Sequence, residues 1–171
     1  MERIGIIGSG TCGTAIAVLL HNNGHQVTLW SAISEEIEEI GRTHRHKNLP
    51  EVTLPEDITY TADLEEAMRD KRILVMAVPS VFVRSTARRM KPLCKDGQII
   101  VDLAKGIEEN SLKTMSEIIK EEIPQCEAAV LSGPSHAEEV SRGIPTTCVA
   151  GSRKRQVAEE IQSIFMSPFF R

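Results

Sequence analysis

The sequence has 171 residues, 41% hydrophobic and 26% charged, with a formal net charge of -4. That balance describes one globular domain with a sizeable core, not a disordered chain. The charge leaves no broad cationic surface for nucleic acid or an anionic membrane, and no apolar run reaches membrane-spanning length, so no membrane insertion is expected. The chain enters a strand at once, without the pattern of a secretory signal. Four scattered cysteines, Cys12, Cys94, Cys126 and Cys148, form no C-x-x-C pair. They read as reduced thiols of a cytoplasmic protein, with neither a disulfide framework nor a zinc site.

The first stretch, Arg3-Ile4-Gly5-Ile6-Ile7-Gly8-Ser9-Gly10-Thr11-Cys12-Gly13, runs from an apolar strand through three glycines spaced G-x-G-x-x-G into a helix rich in small and aliphatic residues, over about 11–22. Strand, glycine turn and helix in that order are the context in which this spacing binds a dinucleotide. Gly8 allows a sharp turn, Gly10 a close approach of a pyrophosphate to the backbone, and Gly13 tight helix–sheet packing. The helix start near Thr11 offers free N–H groups to an anion. A second strand over 26–30 follows, then a helix capped by Ser34 with Ile37 and Ile40 inward. From 43 to 57 the pattern breaks into a polar loop, His44-Arg45-His46-Lys47-Asn48-Leu49-Pro50 onward. His44 and His46 have no carboxylate or cysteine cluster near them in sequence, so no metal site is read there.

The remaining chain alternates strands and helices. Strands are expected over 58–60, 72–78, 98–103, 128–131 and 146–150. Helices are expected from about 62, then over 81–90, 111–122 and 153–165, with a short one beginning at Pro134-Ser135. This order predicts an α/β fold with a doubly wound, mostly parallel sheet and helices on both faces. The closing Ser167-Pro168-Phe169-Phe170-Arg171 reads as the start of a further strand, with its aromatics left without packing partners.

Ligands of such sheets sit beyond the carboxyl ends of the strands. After the second strand, at Ser31-Ala32-Ile33, there is neither the acid that binds a ribose 2′-hydroxyl nor an arginine for a 2′-phosphate, so NAD and NADP both remain open; Glu35 and Glu36 come slightly late. Val78 with Pro79-Ser80 either walls the dinucleotide or simply makes a turn. Lys105 beside Gly106 is either solvated or in reach of an anionic substrate group. Ser132-Gly133-Pro134-Ser135 opens a helix whose N–H groups could face an anion. His136 reads as a surface or capping residue before a general acid or base. Two anion-friendly strand ends beside a dinucleotide loop suggest a phosphorylated or carboxylated small-molecule substrate.

Gly8-x-Gly10-x-x-Gly13-Thr14-Ala15, Val27-Thr28-Leu29-Trp30, Ala104-Lys105-Gly106-Ile107-Glu108 and Leu131-Ser132-Gly133-Pro134-Ser135-His136-Ala137-Glu138-Glu139-Val140 together resemble the bacterial NAD(P)-dependent sn-glycerol-3-phosphate dehydrogenases, over that family's amino-terminal half. The resemblance implies a Rossmann-type domain over 1–171, with a helical substrate domain after Arg171. It implies reduction of dihydroxyacetone phosphate to sn-glycerol 3-phosphate for phospholipid synthesis. It gives cofactor contacts to Gly8, Gly10, Thr11, Cys12, Gly13, Ala32, Val78, Lys105 and Ala137, substrate contacts to Lys105, Gly133 and Ser135, and a proton-donating lysine to the missing half. Cys12 stands where the family usually has Trp, and Ala32-Ile33 where it often has His-Arg or Arg-Asp. A related two-domain dehydrogenase such as ketopantoate reductase, a non-catalytic dinucleotide-binding module, and a homodimer of the full-length protein stay open at this point.

Overall fold

Short apolar runs in this chain are four to six residues long and alternate with amphipathic stretches, and the computed structural model, which describes residues 1–171, turns them into strands and helices in strict alternation. In order these are β1 (Arg3–Ile7), α1 (Thr11–Asn22), β2 (Gln26–Trp30), α2 (Ser34–Thr43), β3 (Thr59–Thr61), α3 (Leu64–Met68), β4 (Ile73–Met76), α4 (Ser80–Met90), β5 (Ile99–Asp102), α5 (Met115–Glu122), β6 (Glu127–Ser132), α6 (Ala137–Ser141), β7 (Val149–Ser152) and α7 (Arg155–Phe165). One seven-stranded sheet holds them in the order β3-β2-β1-β4-β5-β6-β7. All neighbours are parallel except β6 and β7. This is the doubly wound, mostly parallel arrangement expected.

Successive side chains of a strand face opposite sides, and both sides here are apolar. Ile4, Ile6, Ile73, Val75, Ile99 and Val101 join a core with Ile16 and Leu20 of α1, Val140 of α6, and Ile161 and Phe165 of α7. Ile7, Leu74, Met76 and Ile100 join the opposite core with Leu64 of α3, Val83 and Met90 of α4, and Ile118 and Ile119 of α5. Helices on both faces therefore fix the sheet, and the sheet fixes where its carboxyl ends point.

Four expectations are corrected. The 43–57 segment is not simply a polar loop: His46, Leu49 and Leu54 are buried, and Leu54 packs with Val18 of α1 and Ile40 of α2. The helix expected from Ser111 begins at Met115, where Thr114 and Glu117 form a capping box. Leu112, inside the expected helix, is 70% exposed with φ +57 and lies outside the observed one. The last strand is 149–152 instead of 146–150. Residues 146–148 bond instead to 169–171, through Thr146 N–H to Phe169 O (2.8 Å), Arg171 N–H to Thr146 O (2.9 Å) and Cys148 N–H to Arg171 O (2.6 Å). That pairing carries Phe170 into the core at 3% exposure, so this aromatic does find packing partners.

Candidate functional site

From β1 the chain winds to one side as β2 and β3, then returns to the other as β4 through β7. The reversal opens a crevice beyond the carboxyl ends of β1 and β4, the place where open α/β sheets take ligands. Gly8 lies in this crevice at φ +123, and a Cβ there would stand 2.8 Å from the backbone of Ala77 at the end of β4. A Cβ on Gly13 would meet Gly8 O at 2.0 Å, so only glycine lets α1 sit this close to the turn. A Cβ on Gly10 would meet nothing within 4 Å, leaving open space above the backbone that precedes α1. No side chain caps α1, so the N–H groups of its first turn face that space without a capping partner. The turn read for Gly8 and the tight helix packing read for Gly13 are therefore both present, and the backbone at Gly10 is left uncovered.

Three clefts line the rim. One of about 240 Å³ is formed by Gly10, Thr11, Cys12, Ala77, Val78, Pro79, Leu103 and Ala104. A second, about 230 Å³, shares Cys12 and Leu103 with it and adds Lys105, Ser135, Cys148 and Phe170. Lys105 Nζ donates to Gly133 O at 3.2 Å across the gap between the β5 and β6 loops. Thr11, Cys12, Val78, Lys105, Gly133 and Ser135 are thus brought together along one edge. Ala137 opens α6, which packs against the α1 core.

The third cleft, about 650 Å³, lies beyond β2 and is lined by Ile33, Glu35, Glu36, Glu39, Arg45, His46 and Lys47 among others. Ala32 is exposed beside it. The Glu36 carboxylate accepts from Ser9 Oγ and Ser31 Oγ, each at 3.5 Å, joining the glycine loop to the end of β2. Asn48 Nδ2 donates to Thr11 Oγ1 at 3.1 Å, so the 43–57 segment reaches over to the start of α1. His46 is 2% exposed; its Nδ1 accepts from Asn48 N–H at 3.2 Å and its Nε2 has no partner. Burial pulls the His46 pKa down, opposed by the Glu36 charge. Sequence spacing gave no sign of Asn48, and Arg45 and Lys47 supply the basic groups that the end of β2 lacks. Glu36 was visible in the sequence only as an acid slightly late after the second strand.

One expectation about this edge changes. The short helix after β6 starts at Ala137, not Pro134, and Ser135 N–H is already bonded to Gly133 O (2.9 Å), so this turn does not present the row of free donors expected. Cys12, though exposed as a residue, has its thiol pKa pushed up by the atoms crowding its sulfur, more than the Lys105 charge pulls it down. It is a neutral thiol at neutral pH. His136 is exposed and its ring caps nothing. Asp102, which the sequence reading passed over, is 5% exposed at the end of β5; burial lifts its carboxyl to about 6, against the pull of the Ala104 N–H bonded to Oδ1 at 3.0 Å.

Residues 3–158 match the family model described as NAD-dependent glycerol-3-phosphate dehydrogenase N-terminus. The chain belongs to that family. It is 54% identical over 172 residues to glycerol-3-phosphate dehydrogenase [NAD(P)+] of Agathobacter rectalis, covering all of this chain and 51% of that protein. It is 51% identical over 174 residues to the enzyme of the same name from Fusobacterium nucleatum, covering all of this chain and 52% of that protein. Its backbone superposes on the crystal structure of glycerol-3-phosphate dehydrogenase from Coxiella burnetii with a TM-score of 0.93 at 30% identity, over 99% of this chain and 52% of that one. The chain spans about half the length of these relatives. The glycerol-3-phosphate dehydrogenase resemblance read from the glycine, Lys105 and Ser135 stretches is borne out at the level of the family. No helix of this family member is long and apolar enough to cross a membrane.

Proposed function

We propose that this chain is the cofactor domain of an NAD(P)-dependent glycerol-3-phosphate dehydrogenase, a cytoplasmic enzyme that interconverts dihydroxyacetone phosphate and sn-glycerol 3-phosphate. The observation that carries the reading is the open Gly10 backbone at the switch point, continuous through Cys12 and Leu103 with a second cleft that contains Lys105 and Ser135. The cradle fits a dinucleotide: a Cβ at Gly8 or Gly13 clashes, one at Gly10 meets only open space, and α1 has no capping side chain. A nicotinamide cofactor, when bound, supplies the hydride. Thr11, Cys12 and Gly13 N–H groups at the start of α1 would receive its pyrophosphate, and Val78 would wall its middle. Lys105, with Gly133 and Ser135, would hold the phosphorylated ketone, its ammonium charge favouring the anion and the alkoxide that develops on reduction.

The domain residues offer no clear proton donor. The titratable groups of the Lys105 cleft are that lysine, bonded to Gly133 O, and two thiols. The relatives are about twice as long, and we assign the donor and the remaining phosphate contacts to a second domain. Steady-state assays with dihydroxyacetone phosphate and NADH or NADPH test the reading. Turnover by the full-length protein and none by residues 1–171 are expected; robust turnover by the 171-residue chain would overturn the claim of a donor outside it.

A further inference from the structure

Arg84 lies on α4 and lines none of the three clefts, yet it has more charged partners than any other residue of the chain. Its Nε and Nη2 donate to the two carboxylate oxygens of Glu108 at 2.6 and 2.7 Å. Its Nη1 donates to Glu122 at 2.5 Å and to Glu121 at 3.0 Å on α5. Arg88 approaches Glu122 at 3.1 Å, and Lys113 pairs with Glu121, which completes the charged groups around it. The side chains of Arg84 and Glu108 are only 20% and 24% exposed, and a two-point fork between guanidinium and carboxylate fixes orientation as well as distance.

Glu108 is three residues past Lys105, in the loop between β5 and α5. Its backbone closes the far end of that loop, with Glu108 N–H donating to Lys113 O at 2.9 Å and Leu112 N–H to Glu108 O at 2.8 Å. Ser111 Oγ donates to the same carboxylate at 2.5 Å. Leu103, at the near end of the loop, packs against the core, but beyond Lys105 the two large apolar side chains, Ile107 and Leu112, are 58% and 70% exposed. Hydrophobic burial therefore does not fix the far part of this loop, and the polar anchor to α4 and α5 does. The Arg84 guanidinium also holds the Glu108 carboxyl down at about 2, so the pair is charged at neutral pH.

We propose that Arg84 is a positioning residue: acting through Glu108, it holds the β5–α5 loop so that Lys105 stands across from Gly133 and Ser135 at the cleft. This rests on the proposed role of that cleft in binding the phosphorylated ketone. Displacement of about 1 Å at a substrate-holding group can cost on the order of a hundredfold in rate, so loosening the loop should act on the substrate side of the site and spare the glycine loop.

The test uses the full-length protein with R84M, E108Q and the double variant. Expected are a roughly ten- to hundredfold fall in kcat/KM for dihydroxyacetone phosphate, NADH affinity and melting temperature close to those of the wild type, and a double variant no worse than the poorer single one, because both changes remove the same anchor. Amide exchange at Glu108 and Leu112 should quicken about tenfold in R84M, a readout that needs no substrate. Wild-type kcat/KM in R84M, losses that multiply in the double variant, or equal losses of NADH affinity, stability and turnover would each overturn the proposal. If the wild-type protein does not reduce dihydroxyacetone phosphate, the reading of the function fails instead. Amide exchange then decides: unchanged protection at 108 and 112 in R84M overturns the anchoring role, and quickened exchange supports it.

Discussion

Replacing Asp102 by Asn should stabilise this domain, and by an amount that depends on pH. The carboxyl is 5% exposed at the end of β5 and gains one backbone hydrogen bond, from Ala104 at 3.0 Å. Burial lifts its pKa from 3.8 to about 6. Between those values the folded chain keeps a proton that the unfolded chain releases. The stability this group contributes is therefore complete below about pH 4 and lost as pH rises toward 6. A rise of that size corresponds to roughly 3 kcal/mol, and Asn retains the Oδ1 acceptor while adding an amide N–H group that must find a partner. A gain of about 2 kcal/mol at pH 7.5 is expected, narrowing toward zero at pH 4. Urea unfolding followed through Trp30, the only tryptophan and 1% exposed, reports it. Equal stabilities at pH 7.5, or a gap that does not change with pH, would refute the reasoning that an ionised Asp102 burdens the folded state.

The backbone at Gly10 is extended, with φ -62, and its missing Cβ faces open space, so Gly10→Val should leave thermal stability nearly unchanged while abolishing NADH binding by calorimetry; retained affinity would show that the pyrophosphate does not cross there. The cleft beyond β2 places Arg45 and Lys47 opposite Glu35, Glu36 and Glu39, and NAD and NADP affinities are expected within about tenfold, 1.4 kcal/mol, of each other. A thousandfold difference in titration would mean that one set of charges reads the ribose 2′ position. Lys105→Ala in the full-length enzyme should lower kcat/KM for dihydroxyacetone phosphate by roughly 30- to several-thousandfold, corresponding to about 2–5 kcal/mol; wild-type kinetics would return Lys105 to the solvated surface.

The elements that the sequence made legible are those whose signals are local. The Gly8–Gly13 spacing and the short apolar runs lie within a few residues of what they determine, and each maps onto an observed turn or strand. The misreadings share a different cause. Leu112 fits a helical stripe with Met115 and Ile119, but Thr114 and Glu117 cap the helix after it, and partners as distant as Arg84 hold Glu108 and the turn before the cap. Residues 146–150 looked like one strand because their side chains suit either of two pairings; the contact with 169–171 takes the first half and β6 takes the second. The 43–57 segment reads as polar by composition, yet Leu54 packs with Val18 of α1 and Ile40 of α2, and Leu49 joins the large core. At the site, Lys105 and Ser135 were visible as strand-end residues, whereas Asn48 on Thr11 and the Arg84 fork depend on contacts 37 and 24 residues apart.

The floor of the glycine turn also sets an order in time. Gly8 rests on Ala77, and β1 is hydrogen-bonded on one side to β2 and on the other to β4. During synthesis at roughly 5–20 residues per second, β1, α1 and β2 emerge several seconds before β4, and for that interval one edge of the central strand is open while the turn lacks its support. A nascent chain of this family would have no finished dinucleotide cradle until the stretch from Ile73 through Ala77 has left the ribosome. Cofactor would then meet a half-built domain as a late arrival, able to lock the two halves of the sheet together but unable to start their assembly.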